Sequence, residues 1–273
     1  MNLHAKLAER NAQGKPIRIG LIGAGKFGSM ILAQAKYIDG YHIVGIADLD
    51  VAKAHQSLER VHWDAEQYSA NSIADAYASG KTCVLEDANE MFEARGIKVS
   101  IEATGHPTAG TRHAIKAIEN GKHVVMVNVE ADVMCGPYIA ELARQNGVVY
   151  SMAYGDQPSL IMEQIEWARL NGFSVVCAGK GTKYHPEFEY STPDTVWGYY
   201  GISKERAEIE SGMNPKMFNS FLCGDKSAIE MCAVSNAANL KCPSNGLTFP
   251  PVGVYDIAKK LIPKTLGGLI DHE

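Results

Sequence analysis

Short apolar runs alternate with amphipathic segments along the first half of the chain. Mostly apolar runs of about five residues recur near 17–22, 43–47, 99–103, 123–127 and 148–152. Runs of this kind are typical of strands that are covered on both faces, as parallel strands are. Helical spacing between the runs predicts a right-handed, mostly parallel, doubly wound sheet.

The segments between and after these runs predict individual helices. Helices are expected over 29–37, 51–61, 72–78, 87–94, 107–118 and 137–145. The stretch 62–71 is more polar than this architecture needs and predicts an insertion or lid. Beyond residue 155 the pattern loosens into a helix over 157–171, a strand over 173–178 and a helix entered near Asp225.

The first apolar run leads directly into a glycine-rich turn. Gly23, Gly25 and Gly28 form the pattern G-x-G-x-x-G, with Lys26 and Phe27 before the last glycine. Between a strand and a helix, the first glycine permits the tight turn and the second lets the backbone approach a pyrophosphate. The third lets helix and strand pack closely, and the helix N-terminus favours an anion. The turn predicts a dinucleotide site.

An acidic residue follows the second apolar run at the spacing that such a site requires. Asp48 lies twenty residues beyond Gly28, where the dinucleotide pattern places an acid that binds the ribose hydroxyls. The alternative is that Asp48 caps the helix that begins near Val51. Other residues at strand ends are expected to line the same crevice, namely Thr104, Gly105, Asn128 and Glu130.

These observations predict two domains. The first is an α/β domain of Rossmann type over residues 1–154, with a doubly wound, mostly parallel sheet. The second is an α+β domain over residues 155–273 that binds the substrate and forms a dimer contact.

The most chemically suggestive part of the second domain is the segment 179–186. Lys180 and Lys183 lie there on a glycine-bearing turn, where they can bind a phosphate or carboxylate and polarise a carbonyl. An ordinary exposed basic loop is the alternative. Lys226 begins a helix, where the dipole disfavours a cation, so a functional reason is considered beside a surface ion pair with Glu230. Asp156 can ligate a metal or transfer protons, or cap a helix.

Composition limits the classes of partner. The net charge of −5 gives no general attraction to nucleic acid or anionic membranes. No apolar run reaches membrane-spanning length, and the N-terminal residues lack the apolar core of a signal peptide. The six cysteines are scattered without C-x-x-C spacing, so they are expected to be free thiols in a reducing cytoplasm.

Several motifs together resemble a known family. The turn G-L-I-G-A-G-K-F-G at 20–28, with 102–107 and 121–132, resembles homoserine-dehydrogenase-like oxidoreductases. With 179–183 and 225–231 added, the chain more closely resembles deoxyxylulose-phosphate reductoisomerase-like enzymes. The resemblance implies NADPH-dependent conversion of 1-deoxy-D-xylulose 5-phosphate to 2-C-methyl-D-erythritol 4-phosphate, a step of isoprenoid synthesis. It also implies a divalent metal such as Mg²⁺ or Mn²⁺, a small phosphorylated sugar as substrate, and a homodimer.

On this hypothesis Lys180, Lys183 and Lys226 hold the phosphate and vicinal oxygens of the substrate, while the metal ligands stay unassigned. Asp48 by itself predicts NAD, whereas the resemblance implies NADPH with Lys26 or Arg60 compensating. Two other functions are weighed: a plain dehydrogenase of a small hydroxy compound, and a non-catalytic nicotinamide-binding regulatory module.

Two departures from the resemblance bear on these expectations. Asn128 is followed by Val129, where homoserine dehydrogenases usually have Lys, which argues against simple homoserine oxidation. Relatives also continue into a further C-terminal domain, so a shorter member or a fragment is expected.

Overall fold

The computed structural model describes residues 2–210 and 213–271. The chain divides into two units, Met1–Ala153 and Tyr154–Glu273. Each unit has hydrophobic clusters of its own.

The first unit is built on a parallel sheet. Its strands are β1 (Ile17–Ile22), β2 (Tyr41–Ala47), β3 (Cys83–Leu85), β4 (Val99–Glu102), β5 (His123–Met126) and β6 (Tyr150–Met152). They lie in the order β3-β2-β1-β4-β5-β6, and every neighbouring pair is parallel. The strand order therefore reverses between β1 and β4, the point at which such sheets bind ligands. The predicted α/β fold of Rossmann type is confirmed.

In the described part of this unit, seven helices accompany the sheet. They are α1 (Leu3–Ala12), α2 (Lys26–Ala35), α3 (Val51–Arg60), α4 (Ile73–Ser79), α5 (Asn89–Glu93), α6 (Pro107–Glu119) and α7 (Val129–Gln145). The predicted start of the last helix near Pro137 is wrong, because α7 begins at Val129 and contains Pro137 in its interior. Proline removes one backbone donor, but a helix of 17 residues retains its other bonds.

Two apolar clusters cover the two faces of the sheet. Ile43 belongs to one cluster and its neighbour Val44 to the other. Successive strand residues point to opposite faces, so this division shows that the sheet is buried on both sides.

The polar stretch 62–71, expected to be an insertion or lid, packs on this unit. It contains a short 3₁₀ turn, Ala65–Tyr68. Trp63 donates from its indole nitrogen to the Leu32 carbonyl at 2.9 Å, and Ala70 is buried in one of the two clusters. Apolar residues within the polar stretch thus fix it to the domain.

The described part of the second unit is helical. Its helices are α8 (Gln157–Leu170), α9 (Val196–Tyr200), α10 (Pro215–Leu222), α11 (Asp225–Ala238) and α12 (Ile257–Lys260), with a π-helical segment at Glu205–Glu210. Apolar residues of α8 and α11 meet in a small cluster that includes Ile165 and Val234. A second cluster forms around Trp197 and Phe188.

The strand predicted over 173–178 is not formed. In the described residues of this unit, β-pairing is limited to isolated bridges. Phe173 is 61% exposed and Val176 is 48% exposed, whereas Val175 and Ala178 pack against the apolar cluster of α8 and α11, so the segment is covered on one side only. An apolar run forms a strand only when a neighbouring strand accepts its hydrogen bonds, and the described residues supply none.

Along both described ranges, no helix combines the length and apolar composition needed to cross a membrane.

Candidate functional site

The three glycines of the β1–α2 turn have different surroundings. Gly23 has φ of +94°, and a methyl group there would lie 2.8 Å from the Ala103 carbonyl carbon and oxygen. A methyl group on Gly28 would overlap the Gly23 carbonyl oxygen, whereas one on Gly25 would meet no atom within 4 Å. The first and third positions therefore accept only glycine, while the second faces open space that a ligand can approach.

The N-terminus of α2 is available to an anion. Gly25 is the N-cap and provides no side-chain cap for the first backbone N–H groups. Lys26 and Phe27, in the first turn, are exposed. Unpaired N–H groups and the helix dipole favour a negatively charged group, and Lys26 adds a cation. These groups can hold a pyrophosphate.

The Asp48 carboxylate is held across the glycine turn. Its Oδ2 accepts from the Ala24 N–H at 2.8 Å, and its Oδ1 accepts from the Asp50 N–H at 3.0 Å. The cap of α3 is Asp50, which accepts from the Lys53 N–H at 3.0 Å. Asp48 therefore does not cap that helix, and its remaining lone pairs can accept ribose hydroxyls.

Arg60 approaches the other side of Ala24. Its guanidinium donates to the Ser57 hydroxyl at 3.1 Å, and that hydroxyl donates to the Ala24 carbonyl at 2.8 Å. Ala24 is thus held by Asp48 through its N–H and by Ser57 through its carbonyl. Turning Asp48 away would break the first of these bonds.

The structure brings Thr104 and Asn128 together. Asn128 is 2% exposed, accepts from the Ala131 N–H as the cap of α7, and donates to the His106 carbonyl at 3.1 Å. Its amide also lies 3.4 Å from the Thr104 hydroxyl. Asn128 therefore stabilises the exposed turn after β4, in which Gly105 has φ of +70°.

Two acidic residues near this turn stand in different surroundings. Glu130 is half-buried in the first turn of α7. Glu102, which was not among the predicted site residues, lies under the Thr104 turn and is 1% exposed. A carboxylate at the last position of a strand that is buried in the sheet was the sequence signal for it.

A buried acid and phenol also pair in the first unit. The Tyr150 hydroxyl donates to Asp132 Oδ1 at 2.5 Å. Burial raises the pKa of Asp132, and burial together with the Asp132 charge raises the pKa of Tyr150. The pair joins β6 to the first turns of α7.

The candidate lysine site of the second unit is organised by an ion pair. Lys180 Nζ pairs with Glu230 of α11, and the side chains are 18% and 2% exposed. The surface ion pair considered for Glu230 is wrong, because this carboxylate is buried and is held by Lys180.

The lysine-bearing segment, residues 180–184, packs beside α11. Tyr184 stacks on Phe249 with ring centroids 4.4 Å apart, and Phe249 covers Gly224, the N-cap of α11 with φ of +95°. With Lys180 fixed at Glu230, the segment 180–184 lies alongside the first two turns of α11. Lys183 is exposed, and Lys226 is half-buried in the first turn of that helix.

Asp156 was considered as a metal ligand, and the structure places it at the start of α8. Asp156 is the N-cap of α8 and accepts from the Gln157 N–H at 3.0 Å. Across residues 2–210 and 213–271, no group of three or more His, Cys, Asp or Glu side chains is arranged to hold a metal ion. The described residues thus offer no preformed set of three such ligands for the metal that the resemblance implies.

Three solved structures illustrate the similarity to known proteins. An NAD-binding oxidoreductase from Klebsiella pneumoniae is 20% identical over 57% of this chain and 39% of its own, with a TM-score of 0.41. A homoserine dehydrogenase from S. aureus is 20% identical over 50% and 32%, with a TM-score of 0.37. A myo-inositol dehydrogenase from Lactobacillus casei, solved with NAD(H) and myo-inositol, is 14% identical over 56% and 42%, with a TM-score of 0.41. The chain thus spans less than half the length of these proteins, and no curated protein matches it.

Two family models divide the chain between them. Residues 155–273 match the model described as "Oxidoreductase DRL, catalytic domain". Residues 17–154, just over half of the chain, match the model described as "Oxidoreductase family, NAD-binding Rossmann fold". The glycine turn, the exposed α2 N-terminus and the Asp48 carboxylate fit the cofactor of that family. The chain belongs to the oxidoreductase family with an NAD-binding Rossmann fold.

Proposed function

We propose that the protein is a nicotinamide-dependent reductoisomerase of a small phosphorylated sugar, converting 1-deoxy-D-xylulose 5-phosphate to 2-C-methyl-D-erythritol 4-phosphate. The observation that carries the proposal is the Lys180–Glu230 pair, which fixes a lysine-bearing segment along α11 within the region that matches the DRL catalytic domain. Bound NAD(P)H supplies the hydride. The balanced reaction consumes one cofactor hydride and one proton.

Each lysine of the second unit is assigned to a different part of the substrate. Lys183 is exposed and carries a mobile point charge, so it is assigned to the substrate phosphate. Lys180 is held at a fixed place by Glu230, so it is assigned to the vicinal oxygens that change charge during the rearrangement. Lys226, at the start of α11, completes the cationic environment. Asp156 is retained as a candidate for proton transfer, although it also caps α8.

No step is assigned to a metal ion, because the described residues contain no group of three or more His, Cys, Asp or Glu side chains arranged to hold one. The proposed oxygen contacts are made by lysine ammonium groups, which stabilise developing negative charge without a metal. A homodimer in a cytoplasmic setting is part of the same proposal.

For the cofactor, we propose that NADH is used in preference to NADPH. The Asp48 carboxylate is bound by two backbone N–H groups and would face a 2′-phosphate with its negative charge. Moving it away breaks its bond to the Ala24 N–H in the glycine turn. NADPH remains the expectation from the resemblance, with Lys26 or Arg60 as the cation that compensates.

The test is oxidation of the reduced cofactor followed by absorbance. The full chain is mixed with 1-deoxy-D-xylulose 5-phosphate and NADH or NADPH, with added Mg²⁺ or with a chelator, and the aldehyde derived from homoserine is the alternative substrate. Turnover of the phosphosugar supports the proposal, and faster turnover with NADH supports the role of Asp48. Turnover of the aldehyde alone, unaffected by the chelator, would instead identify a plain dehydrogenase.

Matched variants separate the lysines from general charge effects. Lys183→Ala is expected to raise the KM for the phosphosugar about tenfold or more, because a charge-assisted phosphate contact is lost. Lys204→Ala removes another exposed lysine of the second unit and is expected to leave KM unchanged. Equal effects of the two substitutions would contradict the assignment of Lys183.

A further inference from the structure

A buried carboxylate lies beside the dinucleotide site without touching it. Glu102 ends β4 and is 1% exposed, although Thr104, two residues later, is exposed. Burying a carboxylate lowers stability unless donors compensate it. Its position at the strand-order reversal between β1 and β4 calls for a role.

The two oxygens of Glu102 have unequal surroundings. Oε1 accepts from the Thr104 hydroxyl at 2.5 Å, lies 3.4 Å from the Thr104 N–H, and lies 3.3 Å from Nδ1 of His113. Oε2 is buried and has no hydrogen-bond partner among the described residues. A buried acceptor without a donor lowers stability, so this oxygen needs an explanation.

The packing around Glu102 keeps this arrangement rigid. A methyl group on Gly110 of α6 would lie 2.6 Å from the Asn128 amide nitrogen and 2.9 Å from Glu102 Oε2. At Gly110 the backbone of α6 therefore lies so close to the Asn128 and Glu102 side chains that a larger residue would collide with them. The Thr104 hydroxyl is held from two sides, since it donates to Glu102 and lies 3.4 Å from the Asn128 amide.

The turn held by Glu102 supports the glycine turn directly. A methyl group on Gly23 would lie 2.8 Å from the Ala103 carbonyl and 2.9 Å from the Thr104 nitrogen. The turn after β4 is exposed and includes Gly105 in the left-handed region. The Ala103 N–H donates to the Ile22 carbonyl at 2.8 Å, and the next residue, Thr104, is held by Glu102. Any displacement of Ala103 and Thr104 is passed to Gly23.

We propose that Glu102 is a positioning residue of the dinucleotide site, acting through Thr104. Its carboxylate fixes the turn after β4, and that turn keeps the glycine turn in the shape that receives the pyrophosphate. The inference rests on the NAD-binding fold and is independent of the reaction proposed for the second unit.

The test compares cofactor affinity with stability in the full chain. Glu102→Leu removes the acceptor and the unsatisfied oxygen while filling a similar volume. Stability is expected to be at least that of the unsubstituted protein, since a buried charge is replaced by an apolar side chain. NADH affinity, measured by fluorescence titration, is expected to fall about tenfold. Glu102→Gln retains an acceptor for the Thr104 hydroxyl and is expected to recover most of the affinity.

The matched control lies on the same face of the same strand. Ser100 is 2% exposed, and its hydroxyl has no hydrogen-bond partner among the described residues. Ser100→Ala is expected to leave NADH affinity unchanged. Unchanged affinity in folded Glu102→Leu, or an equal loss in Ser100→Ala, would overturn the proposal. If Glu102→Leu does not fold, Thr104→Val removes the hydroxyl from the exposed turn, and unchanged affinity there would overturn it equally.

Discussion

The two units build their candidate sites from different parts of the chain. In the first, the candidate site consists mostly of backbone atoms: a glycine turn, the N–H groups of α2, and a carboxylate held by two more N–H groups. In the second, the candidate site consists of side chains, with Lys180 against a buried Glu230 from a helix fifty residues away. A backbone site is encoded by local sequence, whereas a side-chain site depends on packing between distant segments.

The largest effect is expected where the first unit admits no side chain. Gly28→Ala places a methyl group against the Gly23 carbonyl oxygen, so the turn must shift. We expect loss of measurable NADH binding by fluorescence titration and destabilisation of about 3 kcal/mol in denaturant unfolding.

The control for this substitution is in the lysine-bearing segment of the second unit. A methyl group on Gly181 would meet no atom within 4 Å. Gly181→Ala is expected to change stability by less than about 0.5 kcal/mol and to leave NADH binding unchanged. If both alanine variants behaved alike, the contrast between a backbone site and a side-chain site would be wrong.

The second largest effect is expected at the buried ion pair. Lys180→Met leaves the Glu230 carboxylate buried without its partner. Removing one member of a buried pair commonly costs about 3–5 kcal/mol, and the partial exposure of Lys180 reduces our expectation to about 2 kcal/mol in denaturant unfolding.

A double variant tests the pairing itself. Adding Glu230→Leu to Lys180→Met removes the unpaired charge, so most of the lost stability is expected to return. Strictly additive losses from the two substitutions would show that the pair contributes nothing to the stability of the second unit.

The sequence predicted the features that local rules determine. The glycine turn, Asp48 and the strand–helix alternation follow from spacing, and the parallel sheet confirms the fold they imply. The prediction of the α7 boundary was wrong because the preference of proline for helix starts was outweighed by the capping of the helix at Asn128. Pro137 suggested a helix start, yet α7 begins directly after Asn128, whose side chain caps it, and continues through the proline.

The side-chain sites were harder to predict. Glu102 and Glu230 are separated in sequence from the partners and helices that bury them, and charged residues are seldom buried. Spacing alone placed Glu230 on the surface next to Lys226. Only the packing of 180–184 along α11 shows why it is buried and what it binds.

Two valines of predicted strands give a third contrast. Val124 in β5 is 1% exposed within an apolar cluster, whereas Val176 is 48% exposed. Val124→Ala is expected to cost about 2 kcal/mol and Val176→Ala less than about 0.5 kcal/mol, measured by denaturant unfolding. A large loss at Val176 would mean that the Val176 side chain is covered in solution.

The smallest effect is a change in pH dependence at the Asp132–Tyr150 pair. Burial raises the pKa of Asp132 above its ordinary value of 3.8. The folded protein therefore retains this proton to a higher pH than the unfolded chain, so the contribution to stability is complete below that value and is lost as pH rises through the raised pKa. Asp132→Asn cannot titrate and keeps an acceptor for the Tyr150 hydroxyl.

The free energy of unfolding of Asp132→Asn should therefore decline less steeply than that of the unsubstituted protein as pH rises from about 4 to 7. An exposed acid on the same helix provides a control of opposite sign. The Arg144 side chain lowers the pKa of Glu141 to about 2, so Glu141 contributes stability above its ordinary pKa that is lost as pH falls. Glu141→Gln should remove a gain in stability with rising pH, whereas Asp132→Asn removes a loss. The same change in slope for both variants would show that net charge, and not the burial of Asp132, sets the pH dependence of the first unit.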